Sequence, residues 1–291
     1  MLRRLLPSRD HTRCPSTLCQ PRSKSAFTES ATRAVNGQPN PDEAANDSPP
    51  LHPLLKWVDA DQLPRTPNRP CTYLPGRLAR ERAFLAEALD GETYHALMDR
   101  GFRRSGQMFY AMDCEDCRLC VPLRVPVATF CATKSQRRVQ RKNADLTVTA
   151  RRPLFTDATF DLYCRYLRYQ HPKVERDENA EQFRESLYAQ VVDTIEITYS
   201  LGDQLLAVSL LDICTQSVSA VYHFYDPEHK DRGLGVFSVL AEIEWTANLG
   251  VPFYYLGYWV EGAKTMHYKA NYGPHEVLRD GCWLPAPDRA P

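Results

Sequence analysis

The chain has 291 residues, and its 36 Lys+Arg balance 36 Asp+Glu, so it is not a uniformly basic nucleic-acid coat. Apolar residues at 43% and charged residues at 25% are ordinary globular usage and exclude collagen, a coiled coil and wholesale disorder. No run approaches the roughly 18 to 20 uncharged apolar residues of a membrane-spanning helix. Ten cysteines, unevenly spread and without an apolar signal core before them, point to free thiols in a reducing, cytoplasmic interior rather than to disulfides.

Residues 1–54 hold eight of the 22 prolines, neither Tyr nor Trp, and one Phe. That is too little apolar area to offset the entropy of ordering, so a disordered extension is expected. Its start carries Arg3, Arg4, Arg9, Arg13, Arg22 and Lys24 against Asp10, which fits an organelle-targeting peptide or an idle tail. From Trp57 the chain reads as globular. Arg77–Leu89 (RLARERAFLAEAL) has apolar residues at helical spacing, Asp90-Gly91 breaks it, and Thr93–Arg100 forms a second helix. Strands over Phe102–Met112 and Val121–Phe130 flank the loop DCEDCRLC, and the basic stretch SQRRVQRKN closes an N-terminal domain over 55–143.

A second domain over 144–285 reads as a strand at 145–150, helices at 156–169 and 180–190, and strands at 194–200, 204–213 and 217–226. A helix at 234–249, a strand at 252–258, a short helix at 263–270 and a strand near 276–283 follow, with 286–291 a tail. Three antiparallel strands and then a strand–helix–strand crossover give an α/β (α+β) fold, a mixed sheet flanked by helices. The order resembles that of the acetyl-CoA-dependent N-acetyltransferases, with a small cysteine-containing subdomain in front.

Cys114, Cys117 and Cys120 lie within seven residues, and Cys71 is an upstream fourth. Four soft thiolates suit zinc or an iron–sulfur cluster; a redox pair or thiols that only pack the loop are the other readings. Cys131, Cys164, Cys214 and Cys282 read as core residues. Between 100 and 152 there are twelve Lys+Arg and four Asp+Glu, a basic block in a neutral chain. It is either a solvated face or a surface for phosphates, and its arginines also suit carboxylates.

Lys230–Gly235 (KDRGLG) joins a strand to an apolar helix, where Gly233 and Gly235 would free backbone N–H groups for an anion. Acyl transfer to an amine needs a proton acceptor. His223 and Asp226 are candidates, with Tyr222 or Tyr225 stabilising the tetrahedral intermediate, while a packed core histidine is the plainer reading. Tyr258, Trp259, Lys264 and Lys269 combine aromatic faces with cations, as a terminal base and its phosphate require, or form a partly exposed core edge.

GFRRSG, the C-x-x-C-x-x-C-x-P-x-R loop, SQRRVQRKNADL, VYHFYDP and LGYWVEGAKTMHYKA occur in this order, and over about 55–285 the chain resembles the bacterial-type aminoacyl-tRNA–protein transferases. It looks like the aspartate/glutamate leucyltransferase branch, related to the arginyl-tRNA–protein transferases. The resemblance implies transfer of leucine from leucyl-tRNA to the α-amino group of proteins beginning with Asp or Glu, marking them for degradation. Arginyl-tRNA as donor, or acetyl-CoA in an N-acetyltransferase, are the alternatives. It implies no required cofactor, with an iron–sulfur cluster or zinc at Cys71, Cys114, Cys117 and Cys120; Leu74 stands where relatives carry another cysteine. Arg103, Arg104, Gln136, Arg137 and Arg138 would supply anion recognition. His223 or Asp226 would take the proton.

Overall fold

A computed structural model describes residues 52–170, 172 and 179–286. The extension expected over 1–54 and the tail at 286–291 lie almost wholly outside the described residues.

Helix α1 (Pro53–Asp59) begins on a proline whose missing N–H costs nothing at that position. Strands β1 (Arg69–Pro70) and β2 (Leu78–Ala79) form a small antiparallel ribbon. Strand β3 (Glu81–Leu85) follows, so the helix expected over Arg77–Leu89 is corrected to extended chain. Tertiary pairing overrides local propensity there: β3 pairs with β5 (Met108–Met112), and the rings of Phe84 and Phe109 stack with centroids 5.2 Å apart.

Helix α2 (Gly91–Met98) is capped by Asp90, whose carboxylate accepts the Thr93 N–H at 2.7 Å. The single strand expected over Phe102–Met112 is a hairpin of β4 (Arg103–Ser105) and β5, turned at Gly106 with φ 57°. β3, β5 and β4 form a three-stranded sheet.

Strand β6 (Cys120–Pro126), helix α3 (Lys134–Lys142) and strand β7 (Thr147–Arg151) come next. Helices α4 (Asp157–Gln170) and α5 (Ala180–Leu187) precede β8 (Thr194–Leu201), β9 (Gln204–Cys214) and β10 (Ser217–Tyr225). A 3-10 turn (Pro227–Arg232), α6 (Leu234–Asn248), β11 (Phe253–Val260), a 3-10 turn (His267–Asn271), β12 (Glu276–Arg279) and β13 (Cys282–Pro285) complete the described chain.

Eight strands form one sheet in the order β13-β12-β6-β11-β10-β9-β8-β7, antiparallel throughout except for β10 and β11. The fold is thus the expected mixed α/β sheet flanked by helices. Strand β6 sits between β12 and β11, so the boundary expected at 143/144 falls between elements of a single sheet and its covering helices. Helix α6 buries Leu240, Ile243 and Trp245 on one face with Tyr199, Leu211 and Val218. On the other face Leu162 of α4 and Phe183 and Leu187 of α5 pack on Val208, Leu210 and Phe224. A third cluster around Tyr94, Phe102 and Phe109 holds α1, α2 and the three-stranded sheet against Cys214 and Tyr255. Each fully buried ring there contributes roughly 2–3 kcal/mol.

One irregularity positions the site. β10 and β11 pair only from Ser217–Ser219 to Phe253–Tyr255. Register shifts follow at Ala220/Tyr222 against β9 and at Tyr255/Gly257 against β6. Beyond them each strand keeps its outer partner, and the sheet opens between them.

Candidate active site at the split of the sheet

Arg103 reaches the point of parting from β4. Its guanidinium donates to Ser219 Oγ at 3.0 Å and to the carbonyl of Ala220, the first residue past the last β10–β11 pair. From the other strand, the position where a Cβ on Gly257 would stand is 3.0 Å from Lys269 Nζ and 3.6 Å from Arg103 Nη2. Gly257 has φ 97°, a backbone state that L side chains rarely adopt, so glycine keeps this space open for the two cations. Burial, and then the Arg103 charge, push the Lys269 ammonium down to about 7.

On the α6 side of β10, His223 shares a hydrogen bond with Ser209 Oγ at 2.9 Å through Nδ1, while its Nε2 is buried with no partner among the described residues. Ser209 in turn donates to Glu242 Oε1 at 2.6 Å, and Tyr254 and Tyr199 also donate to that carboxylate. Burial lowers His223 to about 4, so the imidazole is neutral at pH 7. Burial raises Glu242, offset in part by Ser209 and the two tyrosines. Sequence reasoning missed Glu242. Its signal was spacing: it lies one turn from Ser238 and Thr246 on the buried face of an apolar helix.

Tyrosines gather beside the opening. Burial raises Tyr166 of α4, with further contributions from Tyr222, Tyr225 and Tyr268, and its ring meets that of Tyr225 with centroids 5.1 Å apart. Tyr222 itself packs edge-on to Tyr163 with Phe224.

Several predicted residues are committed elsewhere. Arg104 forms a bidentate pair with Asp212 (2.8 and 2.6 Å), both side chains at 0% exposure, and Thr194 Oγ1 donates to the same carboxylate at 2.7 Å. It faces the core, not a substrate. Asp226 is 1% exposed, pairs with Arg165 at 2.7 Å and caps the following 3-10 turn through Glu228 N–H at 3.0 Å. The Asp226 carboxylate is thus engaged in the fold, whereas His223 Nε2 has no partner among the described residues. Tyr258 pins β11 to the hairpin, donating to Gly101 O at 2.7 Å and accepting from Met112 N–H, rather than offering a stacking face. Trp259 is half-buried against the α6 core, and Lys264 is exposed.

The basic stretch is helix α3. Gln136 is buried in a capping box with Thr133 and donates to Asn271 O at 3.0 Å, so it ties α3 to the Lys269 turn. Arg137, Arg138, Arg141 and Lys142 are exposed. Lys142 donates to Asp231 O and Asn143 to Arg232 O at 2.9 Å, which brings this face against the Lys230–Gly235 turn. Gly233 is left-handed (φ 70°) and caps α6; no atom lies within 4 Å of a Cβ position at Gly235. The two basic motifs thus form one surface.

Cys120 is pushed up to about 12 by burial and then by Cys114, Cys71 and Cys117, so all four thiols lie within electrostatic reach. The donor chemistry suits a soft metal or cluster, whose positive charge would permit the thiolates to coexist. Among the described residues no three His, Cys, Asp or Glu side chains are arranged as a finished metal cage. A pocket of ≈ 610 Å³ is lined by Cys71, Tyr73, Glu81 and Tyr110. Among the described residues no helix is long and apolar enough to cross a membrane.

The geometry, an opened sheet with cations, a neutral imidazole and an adjoining basic surface, suits transfer of an acyl group carried by a polyanion. Models of the arginine-tRNA-protein transferase N terminus and C terminus match residues 69–138 and 158–279, and the chain belongs to that family of aminoacyltransferases. An aspartate/glutamate leucyltransferase of Thiobacillus denitrificans is 37% identical over 235 residues, 80% of this chain and 98% of the relative. Those of Pseudomonas fluorescens and Chromobacterium violaceum are 37% and 38% identical, over 74% and 75% of this chain and 92% and 91% of theirs. Among solved structures, L-PGS from Bacillus licheniformis shares 15% identity at a TM-score of 0.39, covering 58% of this chain and 51% of that one.

Proposed function

We propose that this protein transfers leucine from leucyl-tRNA to the α-amino group of proteins that begin with Asp or Glu, which marks them for degradation. The observation that carries the reading is the identity of 37% to a named aspartate/glutamate leucyltransferase across 98% of its length.

The chemistry is modest. The aminoacyl ester is already activated, so its cleavage drives amide formation without ATP or a covalent enzyme intermediate. The α-amine attacks the ester carbonyl, the bond to the terminal ribose oxygen breaks, and the proton lost by the amine ends on that oxygen. The enzyme's task is to position the reactants, accept the proton in passing and stabilise the oxyanion. His223 Nε2 is the acceptor, held in one orientation by Ser209 and Glu242. The tyrosines beside the opening supply stacking faces for the terminal adenine. Phosphates of the tRNA lie on the α3 face and the Lys230–Gly235 turn. Cys71, Cys114, Cys117 and Cys120 would hold a soft metal or an iron–sulfur cluster that crosslinks the loop before β6; no reaction step runs through it. The enzyme works in the cytoplasm, where both substrates are made.

The test is transfer of labelled leucine or arginine from charged tRNA to peptides beginning with Asp, Glu or Ala. Leucine on the Asp and Glu peptides is expected. Arginine transfer in its place, or binding of acetyl-CoA without binding of leucyl-tRNA, would overturn the assignment.

A further inference from the structure

Two positive groups meet at the split with no negative charge to balance them. Among the described residues neither Arg103 nor Lys269 has a carboxylate partner. Arg103 contacts Ser219 Oγ, the Ala220 carbonyl and Met98 sulfur, and Lys269 Nζ faces Gly257 without a hydrogen-bond partner among the described residues. Arg103 is 8% exposed and Lys269 half-buried, so water screens them poorly. Folded proteins rarely hold a half-buried like-charged pair without a partner, because the desolvation of each charge is then uncompensated. The carboxylates that share neighbours with Arg103 are taken, Asp212 by Arg104 and Glu81 by Arg69 and Thr66.

We propose that Arg103 and Lys269 together bind the side-chain carboxylate of the acceptor's N-terminal Asp or Glu, making them the specificity pair of the enzyme. That the carboxylate belongs to an acceptor rests on the leucyl-transfer reading. A carboxylate fits better than a tRNA phosphate. The pair lies where the strands part, whereas the exposed cations of α3 form a separate open face suited to a backbone polyanion. Only some of the five guanidinium N–H donors of Arg103 are engaged, leaving donors for a planar anion beside the ammonium. Gly257 is part of the device, since any side chain there would stand 3.0 Å from Nζ.

The proposal carries a sign. Arg103 from β4 is the charged group that acts on Lys269, Gly257 of β11 faces its Nζ, and Tyr268 and Tyr272 lie on its own turn. Lys269 is half-charged near pH 7 in the free enzyme, and a bound carboxylate favours its charged form. Binding therefore takes up a proton and weakens as pH rises above 7. Calorimetric titration of the full chain with matched peptides beginning with Asp or Asn cancels the titration of the peptide's own α-amine.

The Asp-over-Asn preference should fall about tenfold from pH 7 to 8.5. Lys269→Gln should lose at least tenfold of the preference at pH 7 with leucyl-tRNA affinity unchanged. Lys269→Arg should keep much of the preference and flatten its pH dependence. Thermal unfolding of each variant checks the fold. A wild-type preference in Lys269→Gln, or a loss of leucyl-tRNA affinity in place of peptide affinity, refutes the pocket. A pH-dependent preference in an enzyme that transfers no leucine would instead defeat the functional assignment and leave the pocket standing.

Discussion

Replacing Asp212 by Asn isolates what the buried Arg104 pair does. The exchange keeps the shape of the side chain but removes the charge opposite a guanidinium that is 0% exposed. Arg104 retains contacts to the Gly106 carbonyl at 3.0 Å and to Thr194 Oγ1 at 3.3 Å, neither of which is an anion. Breaking one side of a buried pair costs about 3–5 kcal/mol, because the remaining charge cannot reach water. For a domain of this size that is a fall in Tm on the order of 10 °C. The urea midpoint moves down by about 1–2 M. Arg104→Met combined with Asp212→Leu removes both charges and should recover most of the loss, as apolar replacement of a buried pair is often neutral or better. Urea and thermal unfolding followed by circular dichroism measure all three. The account fails if Arg104→Met unfolds like the wild type while its KM for an Asp-initiated peptide rises, since that would put Arg104 at the substrate.

His223 is held near 4 against an ordinary value of about 6.5, so the unfolded chain binds a proton between these limits that the folded chain refuses. Stability should therefore decline as pH falls from 6.5 to 4, by about 3 kcal/mol from this group. The difference in unfolding free energy between wild type and His223→Gln should show that slope, and a flat difference would contradict it. His223→Gln should also lower kcat for leucine transfer by at least tenfold, with KM for leucyl-tRNA little changed. Replacing Arg137, Arg138 and Arg141 with Ala should weaken leucyl-tRNA binding and reduce the slope of log affinity against log salt by about two to three; an unchanged slope would place the tRNA elsewhere. Iodoacetamide should label exposed Cys131 and Cys282 well before Cys120 in metal-free protein. Reconstitution with zinc or with iron and sulfide should protect Cys71, Cys114, Cys117 and Cys120 together, and labelling of all four at the unprotected rate would deny them a common ligand.

Periodicity was enough for much of the fold. Alternation in Thr194–Leu201, the unbroken apolar run of Gln204–Cys214 and the tight turns that follow each mark successive strands, and the apolar run Leu234–Asn248 is long enough for a helix buried nearly all round. Arg77–Leu89 misled, since an amphipathic helix and a strand paired at long range can share one local pattern, and Phe109 lies too far along the chain for local spacing to register. Cysteine spacing singled out four thiols, and their shared environment needed no more than the loop and its neighbouring ribbon. The site was legible as residue types but not as roles. Arg103 and Arg104 are adjacent, yet alternate strand faces send one to the opened edge of β10 and the other to Asp212. Tertiary structure alone decided which cation is neutralised and which is left for a ligand. A charge's role depends on the counter-charge nearest in space, and Asp212 is 108 residues away in sequence. The balance of 36 against 36 was written in the sequence; the two unbalanced charges at the split were made by the fold.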